Sequence, residues 1–177
     1  ESMYALKNLM GKLGVEQLEC RVDGGQYDPL NTAGYSFNST IAGIEEADAI
    51  LLIGTNPRHE ASLINARIRK AWLDNKTPIA LIGEAVDLTY PYHHAGTNPA
   101  DIKKMIKDYA EKVKAERPMI IVGAGAFARE DGDSIQGLVR EAAEELGCIT
   151  DDWNGYNVLH NAASRMAALE MGFVPAQ

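Results

Sequence analysis

Two short segments hold the residue types and spacings that could support chemistry. The first is Gly54-Thr55-Asn56-Pro57-Arg58, which follows a fully apolar run and so sits where a buried strand gives way to a helix. Gly54 lets the backbone turn sharply and approach a ligand, Asn56 suits the cap of the next helix, and Pro57 suits its first position. A helix start in this setting attracts phosphate, and Arg58 adds a charge-assisted donor. Glu84, at the carboxyl end of the next apolar run, stands where an acid can accept hydrogen bonds from a ribose. Gly54, Thr55, Asn56, Pro57, Arg58 and Glu84 are therefore the candidate cofactor-binding residues. The same residues also suit a well-capped turn and a solvated carboxylate that bind nothing.

The second segment, Gly123-Ala124-Gly125-Ala126-Phe127-Ala128, fits the G-x-G-x-x-A pattern of a dinucleotide turn, and Asp151 lies where a ribose-binding acid would belong. Against that reading, Arg129-Glu130-Asp131-Gly132-Asp133 delays the expected helix to about Ser134 and places three carboxylates where a pyrophosphate would sit. A tight turn with a helix cap is the alternative. Other chemistry is thinly supplied. His93 and His94 are adjacent, so on an extended chain their rings point apart, and they read as loop surface rather than as a metal pair. His59, at the start of a helix, suits either an anion contact or a plain surface role, and His160, expected on the last helix, has no second ligand in view. The two cysteines, Cys20 and Cys148, lie far apart in the sequence, whereas a cluster or a structural zinc takes four ligands. No catalytic residue and no metal site is assigned.

Charge and hydropathy narrow the partners. A net charge of −8 disfavours the nucleic-acid backbone, which requires clustered cations. No apolar run approaches the ~20 residues that span a bilayer. Arg67, Arg69 and Lys70 make a basic helix face, either solvated and paired internally or a docking surface for an acidic neighbour. A long irregular stretch from 21 to 40, with Gly24-Gly25 and the aromatics from Tyr27 to Phe37, is a second docking candidate.

These segments need elements to hold them. Ala49-Ile-Leu-Leu-Ile53, Ile79-Ala-Leu-Ile82 and Met119-Ile-Ile-Val122 are short, wholly apolar and followed by glycine, as strands in the middle of a parallel sheet are. Ala61, Ile64, Ile68, Ala71 and Trp72 predict a helix between the first two runs. Another begins at Asn98-Pro99, with Asn98 as the cap and Asp101 in the first turn. Ile135, Leu138, Val139, Ala142 and Leu146 predict a third. Cys148-Ile149-Thr150 is a candidate fourth strand, followed by a last helix over 158–171, and Met3, Leu6, Met10 and Leu13 predict a first helix near the amino end. The alternation implies an α/β fold with a doubly wound, mainly parallel sheet flanked by helices. The chain reads as one domain over 1–177, and its opening at Glu1 directly in a helical pattern reads as part of a longer subunit.

The run Ala47 to Arg58 resembles the Gly-x-Asn-Pro segment that lies against the pterin guanine dinucleotide in the molybdopterin oxidoreductase family. Asn65 to Lys70, Ala80 to Gly83, Val86 to Tyr90, Tyr4 to Lys7, Thr40 to Asp48, Asp152-Trp153 and Asn157 to His160 extend the resemblance over nearly the whole chain. They narrow it to the large iron–sulfur subunits of NADH:quinone oxidoreductases, the respiratory complex I. Departures are clear: Ser62 stands where those molybdenum enzymes carry a second proline, Gly83 to Asp87 replaces their Asp-Pro-Arg, and no Cys or Ser is placed to ligate molybdenum. The resemblance implies a scaffold that has lost molybdopterin and carries no cofactor in this stretch, within a parent subunit that holds iron–sulfur clusters and a parent complex that oxidises NADH and reduces quinone. It further implies contacts with other domains and subunits of the peripheral arm, without nucleic acid or membrane insertion. The implied location is the cytoplasmic face of the bacterial inner membrane or the mitochondrial matrix side. The alternative it leaves open is a retained molybdopterin guanine dinucleotide or other nucleotide site at Gly54 to Arg58 with Glu84.

Overall fold

A computed structural model describes residues 1–112 and 114–175. Its centre is a five-stranded sheet in the order β3-β2-β1-β4-β5, with every neighbouring pair parallel. The strands are β1 (Ala49–Ile53), β2 (Ile79–Ile82), β3 (His93–Gly96), β4 (Pro118–Gly123) and β5 (Tyr156–Leu159). β1, β2 and β4 coincide with the three apolar runs, and each is buried along its whole length. Their alternate residues feed two separate cores. Ala49, Leu51, Ile53, Ile120 and Val122 face one layer, and Ile50, Leu52, Met119 and Ile121 the other. A strand covered on both faces needs apolar side chains at both phases of its pleat, which explains runs without alternation.

Among the described residues the α-helices are α1 (Ser2–Lys12), α2 (Thr40–Gly43), α3 (Pro57–Glu60), α4 (Ser62–Asn75), α5 (Ala100–Lys112), α6 (Ala124–Phe127), α7 (Gly132–Glu145) and α8 (Arg165–Glu170). α4, linking β1 to β2, packs Ile64 and Ile68 on one face of the sheet. α5 and α7 pack Ile102, Ile106, Ile135 and Val139 on the other. Connections that run from β1 towards one edge and from β4 towards the other place helices on opposite faces, the doubly wound arrangement.

Several expectations change. Val158 and Leu159 belong to β5 rather than to a helix, and the last helix is only Arg165–Glu170. Cys148 to Thr150 is one leg of a small antiparallel turn, bridged through Ile149 and Asn154, instead of a sheet strand. His93 and His94 lie in edge strand β3 rather than in a loop. The predicted helix from Ala61 is broken at its start: Ala61 is extended, with φ −153°, so the short α3 ends there and α4 begins at Ser62. The irregular stretch from 21 to 40 spends its aromatics internally, since Tyr27 and Tyr35 are buried and Tyr27 meets Phe127 edge-on at 5.9 Å. Its tyrosines stitch the loop to the core, which removes them from a docking surface. No helix among the described residues is long and apolar enough to cross a membrane.

Candidate functional site

The carboxyl ends of β1, β2 and β4 open on a crevice of about 360 Å³. It lies where the connections from β1 and β4 diverge, the usual ligand position in open parallel sheets. Gly54, Gly83, Glu84, Ile102, Ala126 and Arg129 line it. Gly54 and Glu84 are thus brought together as expected, and the Gly125-Ala126 part of the second glycine segment joins them. Thr55, Asn56, Pro57 and Arg58 do not line it, and neither does Asp151.

The glycines answer to packing between strand ends. Gly54 has φ +57°, and its N–H donates to the Ile82 carbonyl at 2.8 Å, so this donor is spent on the neighbouring strand. A Cβ on Gly123 would stand 2.5 Å from the Gly54 carbonyl oxygen, closer than real Cβ atoms come. The chain after Gly123 turns at once into α6 and then breaks before α7 starts at Gly132. Thus a helix does begin inside the G-x-G-x-x-A segment, contrary to the delayed start expected, but it lasts one turn.

The turn after β1 is closed by its own acid. Pro57 occupies the first position of α3 as expected. The Asn56 side chain makes no cap; instead Glu60, one turn on, accepts from the Asn56 N–H at 2.7 Å and from the Thr55 hydroxyl at 2.9 Å. A carboxylate of the chain therefore sits where a phosphate oxygen would be bound. Arg58 is also engaged: its Nη1 donates to Asp87 Oδ2 at 2.5 Å and to the Asp87 carbonyl at 3.1 Å. The backbone N–H of Thr89 and then Arg58 hold the Asp87 carboxyl below its ordinary range. Arg129, the cation on the crevice wall, is gripped by Asp131 through Nε–Oδ1 at 2.7 Å and Nη2–Oδ2 at 3.0 Å. Glu60 was the residue that sequence reasoning passed over, although an acid in the first turn after Thr-Asn-Pro signals a helix start.

The other candidates resolve locally. Asp101, rather than Asn98, caps the start of α5, accepting from the N–H groups of Thr97 and Asn98 at 3.0 and 2.9 Å. Arg67 and Lys70 both pair with Glu45, and Arg69 donates to the Thr89 carbonyl at 3.2 Å, so the basic face is paired within the chain. His94 Nε2 lies 2.8 Å from the Gly83 carbonyl. His160 follows β5 instead of lying on a helix, and its Nε2 lies 2.6 Å from the Tyr35 carbonyl. Cys20 and Cys148 are free thiols, and burial pushes Cys148 up to about 12. Among the described residues no group of three or more His, Cys, Asp or Glu is placed to hold a metal ion.

Comparison with known proteins gives a consistent result. The chain is 43% identical over 182 residues to the mitochondrial NADH-ubiquinone oxidoreductase 78 kDa subunit of Neurospora crassa, covering 98% of this chain and 24% of the relative. It is 39% identical to the mitochondrial NADH dehydrogenase [ubiquinone] iron-sulfur protein 1 of Solanum tuberosum, covering 99% of the chain and 24% of the relative. The Candida albicans 78 kDa subunit is 40% identical, with 98% and 25% covered. The chain thus spans about a quarter of the length of these relatives. The family model for molybdopterin oxidoreductases matches residues 1–177, and the chain belongs to that family.

Proposed function

We propose that this chain is a structural and interaction domain of the large iron–sulfur subunit of an NADH:quinone oxidoreductase. In this reading, residues 1–177 form one domain of a longer subunit and contact other parts of the peripheral arm, on the matrix side of a mitochondrial membrane or the cytoplasmic face of a bacterial one. Electrons travel through clusters elsewhere in the subunit, and no residue here is catalytic. The names of the relatives support the parent complex. The observation that carries the structural role is the Glu60 carboxylate seated on Asn56 and Thr55. These residues do not fit a bound pterin dinucleotide, because a phosphate at this turn would have to displace a carboxylate already hydrogen-bonded twice, at a site whose nearby cations are both paired. Gly54, Thr55, Asn56 and Pro57 act here as a strand end and helix start, Arg58 pairs with Asp87, and Glu84 is a carboxylate on the crevice wall.

A retained nucleotide site is favoured by one feature, the 360 Å³ crevice carrying Gly54, Gly83 and Glu84. Calorimetric titration with guanosine diphosphate separates the two. The structural reading expects no saturable heat up to about 1 mM, the weak end of specific affinity near 4 kcal/mol. Micromolar binding that is lost on Glu84→Gln would establish the nucleotide site instead.

A further inference from the structure

At the opposite end of the sheet from the crevice, a second pocket of about 320 Å³ lies between the start of β5, the carboxyl half of α7 and the 3₁₀ turn Thr32–Gly34. It shares no lining residue with the crevice. Its polar side chains are Asn31, Arg140, Glu144, Asn154 and Tyr156. Arg140 Nη2 is buried with no hydrogen-bond partner, and no carboxylate lies within ion-pair distance of Arg140 among the described residues. A Cβ placed on Gly34 would meet this nitrogen at 3.1 Å and Asn31 Nδ2 at 3.2 Å, so both nitrogens pack against the bare face of this glycine, Nη2 covered by it. The orientations of the two amides are set by the backbone. Asn31 Oδ1 accepts from the Gly34 N–H at 3.2 Å, and Asn154 Oδ1 accepts from the Tyr156 N–H at 3.1 Å. Each amide is left with its NH₂ group as the free end.

A guanidinium that is partly desolvated and uncompensated attracts a carboxylate more strongly than one in open water, and its planar fork matches the two oxygens. The rest of the lining selects further. Glu144 is the one carboxylate in the lining, and its repulsion weighs more heavily on a dianion such as phosphate than on a monoanion. Ala143, Tyr156 and Ile149 supply an apolar wall, with Ile149 54% exposed. We propose that this pocket binds a small organic monocarboxylate, its carboxylate on Arg140, Asn31 and Asn154 and its apolar body against Ile149 and Tyr156.

The test is a titration of the chain with benzoate, acetate and inorganic phosphate, followed by amide chemical shifts at Ala33, Gly34 and Ile149. Benzoate is expected to saturate these shifts at millimolar concentration and to bind at least about tenfold more tightly than phosphate, each tenfold being one step of about 1.4 kcal/mol. Arg140→Gln is expected to abolish saturation with the chain still folded, because the substitution removes a half-buried cation that no carboxylate of the described residues pairs. Glu144→Gln should tighten benzoate binding several-fold. Ile149→Ala, at an exposed position that the fold does not depend on, should weaken benzoate while leaving acetate unchanged. The proposal is overturned if shifts never saturate, if phosphate binds as tightly as benzoate, or if Arg140→Gln and Ile149→Ala titrate like the parent chain.

Discussion

At the scale of single residues, charge and polarity are satisfied locally, and the exceptions carry information. Glu60 takes the place of an external anion at the turn after β1. Glu60→Ala is expected to lower stability by about 1 kcal/mol, the usual cost of losing a cap, measured by urea denaturation. His160 shows the other side of the same rule. Its Nε2 must donate to the Tyr35 carbonyl, so a second proton would enter at Nδ1, which is buried without a partner. Burial, with Arg165 assisting, holds its pKa below 6.5, against the opposing pulls of the Tyr35 carbonyl and Asp23. The unfolded chain therefore binds a proton more readily, and stability falls as pH drops below about 6.5 until the folded pKa is passed. Thermal melts at successive pH values between 7.5 and 5 should show this decline in the parent chain and a shallower one in His160→Gln. Gly54, Pro57 and the apolar strand residues announced their roles by type. Glu60, Asp131 and Asp101 did not, because several donors lie within a few residues of each carboxylate and the local turn of the backbone selects among them.

At the scale of elements, the central strands were legible because burial on both faces forces an unbroken apolar run. The two edge strands were not. β3 is His93-His94-Ala95-Gly96, largely exposed and bonded on one side only, so nothing demands apolar residues there. β5 carries Asn157, fully buried in a strand whose neighbours are apolar, and Val158, Leu159, Ala162 and Met166 happen to fall at helical spacing. Asn157 belongs there because its Oδ1 accepts from both the N–H and the hydroxyl of Ser39 at 3.0 Å, while its Nδ2 donates to the Gly155 carbonyl at 3.0 Å. Asn157→Leu would leave those donors facing a side chain that cannot accept, and a loss of about 1 to 3 kcal/mol is expected in denaturant unfolding. Helix ends give a prediction of opposite sign. Lys76 closes α4 in the left-handed region at φ 56°. Lys76→Gly should stabilise the chain by up to ~1 kcal/mol, with its contact over the Trp72 ring reducing that gain.

At the scale of the whole molecule, the cation on the crevice wall and the turn beside it are engaged by the chain's own carboxylates, which supports the proposed reading of the fold as a scaffold. The sheet ends converge so tightly that Gly123→Ala would drive a Cβ into the Gly54 carbonyl, and a destabilisation of about 2 kcal/mol or more is expected from melting curves. Glycines at these places therefore record backbone contact and are not by themselves signs of a nucleotide. The crevice above them keeps its shape, but its cation and the turn beside it are bound by Asp131, Asp87 and Glu60. The most direct test is the content of the complete purified subunit, measured after denaturation by elemental analysis for molybdenum and by chromatography for released guanine nucleotide. A scaffold without its cofactor predicts neither; one molybdenum or one guanine nucleotide per chain would contradict the account.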